Sequence, residues 1–277
     1  MNFAINSDAI SNDFLTAVTL GLEWGIDTFE LKRVNQKRIP NINRDEINYI
    51  KSTLRDKQVK ICGLSPGVFK SPLTTQDIER ESKDLYKTIE LAQELSVEKV
   101  VVFGFDIDFS KTFAEVKEQL IDVFGTLSLY ASSAGIELCI ENDRGQWTQD
   151  PKNLIDIIKA VNSSSLNVNW DPANMIGLNL GYDFAEHYSI LNGFIKHLHI
   201  KDGIVSPDGK GIVNCMVGDG IVNWVNQFEL LLKDNFDGPM VIEPHFGCRI
   251  SSSRTHIQET RRLFRIANFS HKQFINK

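Results

Sequence analysis

The sequence has little of what marks several large classes of protein. It contains four cysteines, which are widely spaced and form no Cys-x-x-Cys pair, so reduced thiols in a cytoplasmic protein are expected. No apolar run approaches the roughly 20 residues that span a bilayer. Positive charge is also scarce, because 30 Lys and Arg stand against 36 Asp and Glu and give a net charge of -6. This balance argues against a nucleic-acid-binding surface.

Signs of a leader segment or of a domain boundary are missing as well. The first predicted strand begins at Asn2, which leaves no room for a signal peptide and supports a cytoplasmic location. No linker, low-complexity tract or shift in composition divides the 277 residues, of which 42% are apolar. Residues 1–277 are therefore predicted to form a single domain with a large core.

What the sequence does contain is one unit that occurs eight times. Longer segments with apolar residues at helical spacing separate short β-branched runs, and in one of them Ile78, Leu85 and Ile89 share a face. Eight strand–helix units predict an α/β fold, a single (β/α)₈ TIM barrel. A doubly wound open sheet is the alternative, but no Gly-x-Gly-x-x-Gly follows the first strand. The runs begin near Asn2, Asp27, Val59, Lys99, Ile136, Leu166, Ile195 and Pro239.

Polar residues gather at the ends of the fifth to eighth predicted strands. Each of these strands delivers an acid or an imidazole, in the stretches IEND, WDPAN, HLHIKD and IEPH. In a barrel of this kind all these ends meet at one rim, where the chemistry takes place. Carboxylates packed there without a counter-ion would repel one another and would be costly to desolvate. A divalent cation removes both problems, and oxygen ligands with one imidazole suit Mn²⁺, Mg²⁺ or Co²⁺.

Five stretches give the chain a specific resemblance: CIENDRG, NWDPANMIG, HLHIKDG, VGDGIVNW and DGPMVIEPH. In order and spacing they resemble the xylose isomerase-like barrel family of sugar and sugar-phosphate isomerases and epimerases, over nearly the whole chain. In that family one metal ion is held by a Glu, an Asp, a His and a Glu on successive strands. The resemblance implies that the ligands here are Glu141, Asp171, His199 and Glu243. Mn²⁺ is the preferred ion, with Mg²⁺, Co²⁺ and Zn²⁺ as alternatives.

Further polar residues near the rim are candidates for substrate binding. Asn174 could instead support the metal ligands from behind, Arg144 could be a solvated loop residue, and Glu30 could belong to a solvated rim. His197 shares a face with His199 and is expected to support the site or to pack in the barrel, whereas Asp202 points the other way and could cap the following loop. The predicted substrate contacts are Asn174, Lys201, His245, Arg144 and Glu30.

The paired glutamates predict the chemistry. A ketose has a weakly acidic proton beside its carbonyl, and Glu141 and Glu243 could remove it and return it through a metal-stabilised enediolate. The expected activity is therefore that of a sugar isomerase or epimerase in carbohydrate metabolism, with a ketose or keto-sugar substrate that could be phosphorylated. Loss of a β-hydroxyl from the same enediolate would make the enzyme a dehydratase, which is the alternative.

Two further functions are alternatives: a sugar-binding protein without activity and an apurinic endonuclease. The endonuclease branch needs three zinc ions and extra histidines, but the third and fourth strands read CGLSPG and VVFGFD, and Asn174 stands where the sixth-strand histidine would be. The expected partner is therefore a small sugar or sugar phosphate, without nucleic acid or membrane. Association into a homo-oligomer is left open.

Overall fold

Eight parallel strands close into a barrel, which confirms the predicted (β/α)₈ fold. The structure, a computed structural model, describes residues 2–178, 180–209 and 211–275. The barrel strands are β1 (Asn2–Asn6), β2 (Thr28–Leu31), β5 (Lys60–Leu64), β6 (Lys99–Val102), β7 (Glu137–Glu141), β8 (Leu166–Trp170), β9 (Ile195–Ile200) and β12 (Pro239–Ile242). None of them begins more than one residue from its predicted start, because each β-branched run is bounded by polar or glycine residues.

Helices surround the barrel and cover its apolar outer face. They begin at ordinary caps: Asn43 and Glu46 form a capping box, and Asp150 precedes Pro151. The predicted face is confirmed, since Leu85 and Ile89 are buried. The helices are α1 (Ser7–Ile10), α2 (Phe14–Glu23), α3 (Arg44–Lys57), α4 (Thr75–Leu95), α5 (Phe113–Ser133), α6 (Pro151–Val161), α7 (Phe184–Leu191), α8 (Trp224–Lys233) and α9 (Arg249–Ile275), with a 3₁₀ turn at Pro172–Met175. In the described part of the chain, no helix has the length and apolarity to cross a membrane.

The register of the barrel stacks polar side chains in its interior. Glu141 lies beside Asn169, Asn169 beside His197, and Val241 beside His199. Side chains two residues apart on a strand point to the same side, so alternate residues of β7, β8 and β9 form layers. The rim end of the barrel interior is thus polar, while the apolar core lies between strands and helices.

Two short hairpins at the rim were not predicted. The first joins β3 (Arg33–Val34) to β4 (Lys37–Arg38), and the second joins β10 (Asp202–Val205) to β11 (Ile212–Cys215). At the base of the second, the Asp202 carboxylate accepts backbone hydrogen bonds from Gly218 at 2.9 Å and Val222 at 3.1 Å. Asp202 therefore caps the following loop, the role predicted for it.

Candidate metal centre

The four predicted metal ligands come together at the rim of the barrel. Glu141 ends β7, Asp171 follows β8, His199 lies in β9 and Glu243 follows β12. Each offers one ligand atom, and these four atoms all lie within 4.8 Å of one another. All four side chains are buried. Residues far apart in sequence thus form one compact group of three carboxylates and an imidazole, a donor set that suits a divalent cation.

The two ring nitrogens of His199 face different groups. Nδ1 lies 3.2 Å from Glu141 Oε2 and 3.6 Å from Glu243 Oε2. Nε2 lies 3.2 Å from Glu30 Oε2, on the side away from the cluster. When Nε2–H donates to Glu30, Nδ1 is left without a proton; it then faces the carboxylates of Glu141 and Glu243 and accepts from Asn169 Nδ2 at 3.1 Å. This is the arrangement in which a carboxylate orients a metal-binding histidine.

The carboxylates also determine the charge of His199. Burial alone would lower the pKa of His199, but the carboxylates of Glu30 and Glu141 raise it to about 9. In return, His199 and Lys201 outweigh burial and hold the pKa of Glu141 well below 4.5. A proton therefore sits on His199 at neutral pH, and a cation binding at Nδ1 must compete with it.

Two lysines balance part of the negative charge. Lys201 Nζ lies 2.8 Å from Asp171 Oδ2, and Lys32 forms an ion pair with Glu243. Burial raises the pKa of Asp171, and Glu141 adds to this effect while Lys201 opposes it. With both histidines neutral, the three cluster carboxylates and Glu30 exceed the two ammonium groups by two negative charges. That excess equals the charge of one divalent cation, so the residues fit a single ion.

Glu30 contacts both histidines of β9. It is fully buried, and its Oε2 lies 3.0 Å from His197 Nε2 as well as 3.2 Å from His199 Nε2. A direct contact with substrate stays a prediction for this residue. It acts on the site through His199, and His197 lies beneath the site as expected.

Asparagines hold the cluster from behind. Asn174 Nδ2 donates to Glu141 Oε1 at 2.9 Å, and its Oδ1 accepts from Lys201 at 2.8 Å. Asn169 Nδ2 donates to the other oxygen of Glu141 at 3.0 Å, and the side chain of Asn142 accepts from the backbone N–H of Asp171 at 2.8 Å. Asn174 is buried, so its contacts match the supporting alternative; a direct contact with substrate stays a prediction.

A cavity of about 380 Å³ opens above the cluster, a volume typical of small-ligand sites. Glu141, Lys201, Glu243 and His245 line it on one side. His245 is about half exposed, with Nε2 3.3 Å from Glu243 Oε2, and burial together with Lys201 lowers its pKa. The predicted substrate contacts Lys201 and His245 therefore face the cavity. Arg144 does not line this cavity, and its predicted contact with substrate stays a prediction.

Comparison with known proteins shows the family of this chain. A family model described as "Xylose isomerase-like TIM barrel" matches residues 18–266. The chain belongs to the xylose isomerase-like TIM barrel family. The resemblance found in the five sequence stretches is thereby confirmed. An uncharacterized protein of Methanocaldococcus jannaschii is 29% identical over 162 residues, which make up 56% of this chain and 53% of that protein. The match thus spans about half the length of this relative.

Several solved structures share the fold of this chain over nearly its full length. An L-ribulose 3-epimerase has a TM-score of 0.80 at 13% identity and covers 99% of this chain and 98% of its own. A probable 3-DHS dehydratase of petrobactin synthesis from Bacillus anthracis has a TM-score of 0.77 at 15% identity, covering 93% and 98%. A family member from Mycobacterium smegmatis in complex with magnesium has a TM-score of 0.73 at 17% identity, covering 93% and 89%. At these identities the likeness establishes the fold alone.

Proposed function

We propose that this protein is a divalent-metal-dependent epimerase or isomerase of a ketose. The observation that carries the proposal is the group of four ligand atoms within 4.8 Å, two of whose carboxylates line one cavity. The charge excess of the buried groups supports a single ion. Magnesium in the Mycobacterium smegmatis relative is consistent with a divalent cation, and Mn²⁺ is the ion that we propose here.

The cation would be held by Glu141, Asp171, His199 and Glu243. When bound, it would polarise a substrate carbonyl and stabilise negative charge on its oxygen. The chain's own residues prepare this site before any ligand arrives, because Asn169 and Asn174 each hold one oxygen of Glu141. Lys201 faces the cavity and can donate a hydrogen bond to a substrate oxygen.

Glu141 and Glu243 are the proposed acid–base pair. They lie on β7 and after β12, with β8 and β9 between them in the barrel, so a substrate between them presents a different face to each. Glu141 is ionised at neutral pH and can accept a proton from the carbon beside the carbonyl. Glu243, once it carries a proton taken from solvent, can give that proton to the opposite face, which inverts the carbon. The proton taken from the substrate stays on Glu141 until it exchanges with solvent. Return of the proton to the neighbouring carbon would instead exchange aldose and ketose.

Proton exchange with solvent tests this proposal directly. The protein is incubated with Mn²⁺ and a panel of ketoses in D₂O, and the substrate carbons are followed by NMR. We expect deuterium at one carbon of one substrate, with exchange abolished by a chelator. Glu141→Gln should slow the exchange, whereas the control Glu137→Gln, on the same strand at the other end of the barrel, should not. Absence of metal-dependent exchange for every ketose would contradict the proposal.

A dehydratase on the same site is the second candidate. Lys201 lies at the cavity beside Asp171 and carries a proton that it could give to a departing hydroxyl. The D₂O experiment separates the two activities, because a dehydrated product lacks one water, whereas an epimer keeps all the substrate's atoms apart from the one hydrogen replaced by deuterium.

A further inference from the structure

The wall of the cavity opposite the metal ligands is basic. Arg33 and Arg38 of the first hairpin and Lys70 after β5 line it. The whole chain carries a net charge of -6, so this concentration of cations does not follow from composition. A cavity wall of one sign focuses the electric field and attracts ligands of the opposite sign.

The hairpin places two arginines directly opposite each other. Arg33 pairs with Arg38 in antiparallel register, a position in which like charges destabilise a strand pair. The two residues between the strands, Asn35 and Gln36, both have positive φ, at 49° and 70°. These values belong to the tight two-residue turn that matches the twist of a hairpin. The hairpin therefore holds two guanidinium groups together against their repulsion.

Arg38 is also fixed from the side of the barrel. Its Nε donates to the carbonyl of Pro66, and its guanidinium lies where a side chain on Gly67 would be. Gly67 has a φ of 78°, so its backbone also favours glycine. Burial and the neighbouring Arg33 both lower the pKa of Arg38. The Arg38 guanidinium is thus partly desolvated and is repelled by Arg33, yet its hydrogen bond to the carbonyl of Pro66 holds it in place.

The two arginines differ from the other cations of the cavity in their pairing. Lys32, Lys70 and Lys201 each form an ion pair, with Glu243, Asp143 and Asp171 respectively. Among the residues that the structure describes, no carboxylate lies within ion-pair distance of Arg33 or Arg38. Asp8, which also lines the cavity, and Glu81 attract Arg38 from longer distances, but they offset only part of the effect of burial and of Arg33.

We infer that Arg33 and Arg38 bind an anionic group of the substrate, a phosphate ester or a carboxylate, at the end remote from the metal ligands. The planar guanidinium groups match both anions in bidentate geometry, and both anions would relieve the repulsion between the two arginines. Since the metal ligands are taken as the reacting end, the inference rests on the proposed function. The inference predicts that the enzyme prefers an acidic ketose to a neutral one.

A binding measurement tests the subsite without turnover. Inorganic phosphate is titrated into the metal-free protein by calorimetry, at low and at raised NaCl. Arg33→Gln and Arg38→Gln should each weaken binding by about 10- to 100-fold, the scale of a charge-assisted hydrogen bond, and NaCl should weaken it further. Arg55→Gln is the control, because Arg55 is exposed and paired with Asp56. Arg33 is itself exposed, so Arg33→Gln should fold even if Arg38→Gln does not. Phosphate affinity equal to wild type in Arg33→Gln would overturn the inference.

A substrate comparison identifies the anion. The D₂O exchange rates of each 2-ketopentose, its 5-phosphate and a 2-ketohexuronate are compared in wild type and in Arg33→Gln. We expect kcat/KM to be at least about 10-fold higher for one anionic substrate than for the neutral ketose, and Arg33→Gln to remove this advantage only. The preferred anion distinguishes phosphate from carboxylate.

The two proposals can fail separately. If neutral ketoses exchange best and Arg33→Gln changes nothing, the inference is wrong while the proposed function stands. If no ketose exchanges but phosphate binding still depends on the arginines, the anion subsite stands and the proposed function is wrong.

Discussion

The two walls of the cavity differ in the elements that carry their charged groups. The acidic wall, formed by Glu141, Asp171, His199 and Glu243, is built on the barrel. His199 lies inside β9, and each carboxylate lies at or directly after a strand end. The basic wall is built on a hairpin and a loop beyond the strands, where Arg33, Arg38 and Lys70 lie. Strands hold side chains more rigidly than loops do, and loops vary more readily. The acidic wall therefore suits the chemical step, and the basic wall suits the choice of substrate.

The largest effect should come from neutralising a glutamate of the acidic wall. Glu→Gln keeps a carbonyl oxygen for the metal but removes the basic group. Glu141→Gln and Glu243→Gln should each lower turnover by at least roughly 10²-fold, the usual scale for losing a general base. Mn²⁺ affinity, measured by calorimetry, should fall less than turnover.

Exchange in D₂O sharpens this prediction. With one glutamate neutralised, the other can still exchange the substrate proton without completing the inversion. Exchange should therefore outlast net epimerisation in one of the two variants. Near-native turnover in either variant with metal bound would rule out the two-base scheme.

A smaller effect is expected from replacing Glu30, whose carboxylate contacts His199. Glu30→Gln removes the carboxylate that orients His199, so Mn²⁺ affinity should fall by about 10- to 100-fold, the usual scale for such partners. The control Glu137→Gln, whose carboxylate pairs with Lys99 at the far end of the barrel, should bind Mn²⁺ as wild type does. Equal affinities in the two variants would show that Glu30 does not position the ligand.

The free energy of unfolding should depend on pH in opposite ways when His199 binds a proton and when it binds a metal ion. In the metal-free protein the pKa of His199 is raised from 6.5 to about 9. Its protonation therefore stabilises the fold fully below pH 6.5, and this contribution is lost as the pH rises to about 9. Urea unfolding should show lower stability at pH 9 than at pH 6.5, by a larger difference than in His199→Gln. With Mn²⁺ the trend should reverse, since the cation no longer competes with a proton.

The protein is expected not to cleave DNA at abasic sites. The third and fourth barrel strands bring no histidine to the rim, and the two potential ligand groups among the described residues share His199. Purified protein with Zn²⁺ or Mn²⁺ should leave an abasic-site duplex intact on a denaturing gel. Efficient incision would assign the acidic wall to phosphodiester cleavage instead.

The sequence predicted the acidic wall better than the basic one, for physical reasons. Glu141, Asp171, His199 and Glu243 stand at strand ends, and the closure of a barrel brings strand ends together whatever the helices do. Asn169 could have been found in the same way, since it lies two residues before Asp171 on one strand face. The first hairpin could not, because its turn reads Asn-Gln and lacks the glycine that marks such turns.

The histidine contacts of Glu30 were not predicted, because its partners come from the other side of the barrel. Nothing near it in sequence indicates that two histidines of β9 will contact its carboxylate. Only the register of β1, β2 and β5 places Glu30 beside Asn6 and Gly63, facing inward. Contacts across a barrel interior depend on strand tilt and stagger, which local patterns do not specify.

Gly63 limits the order in which this site could change during evolution. A methyl group there would lie 3.2 Å from His197 Nε2 and 3.5 Å from Glu30 Oε2, so even alanine would press on the pair and anything longer would displace it. A lineage that gained a longer side chain at position 63 would therefore first have to replace His197 by a smaller residue. Until that change, the imidazole of His197 keeps position 63 closed to any further ligand. The order of the two substitutions is thus set by the missing side chain at position 63.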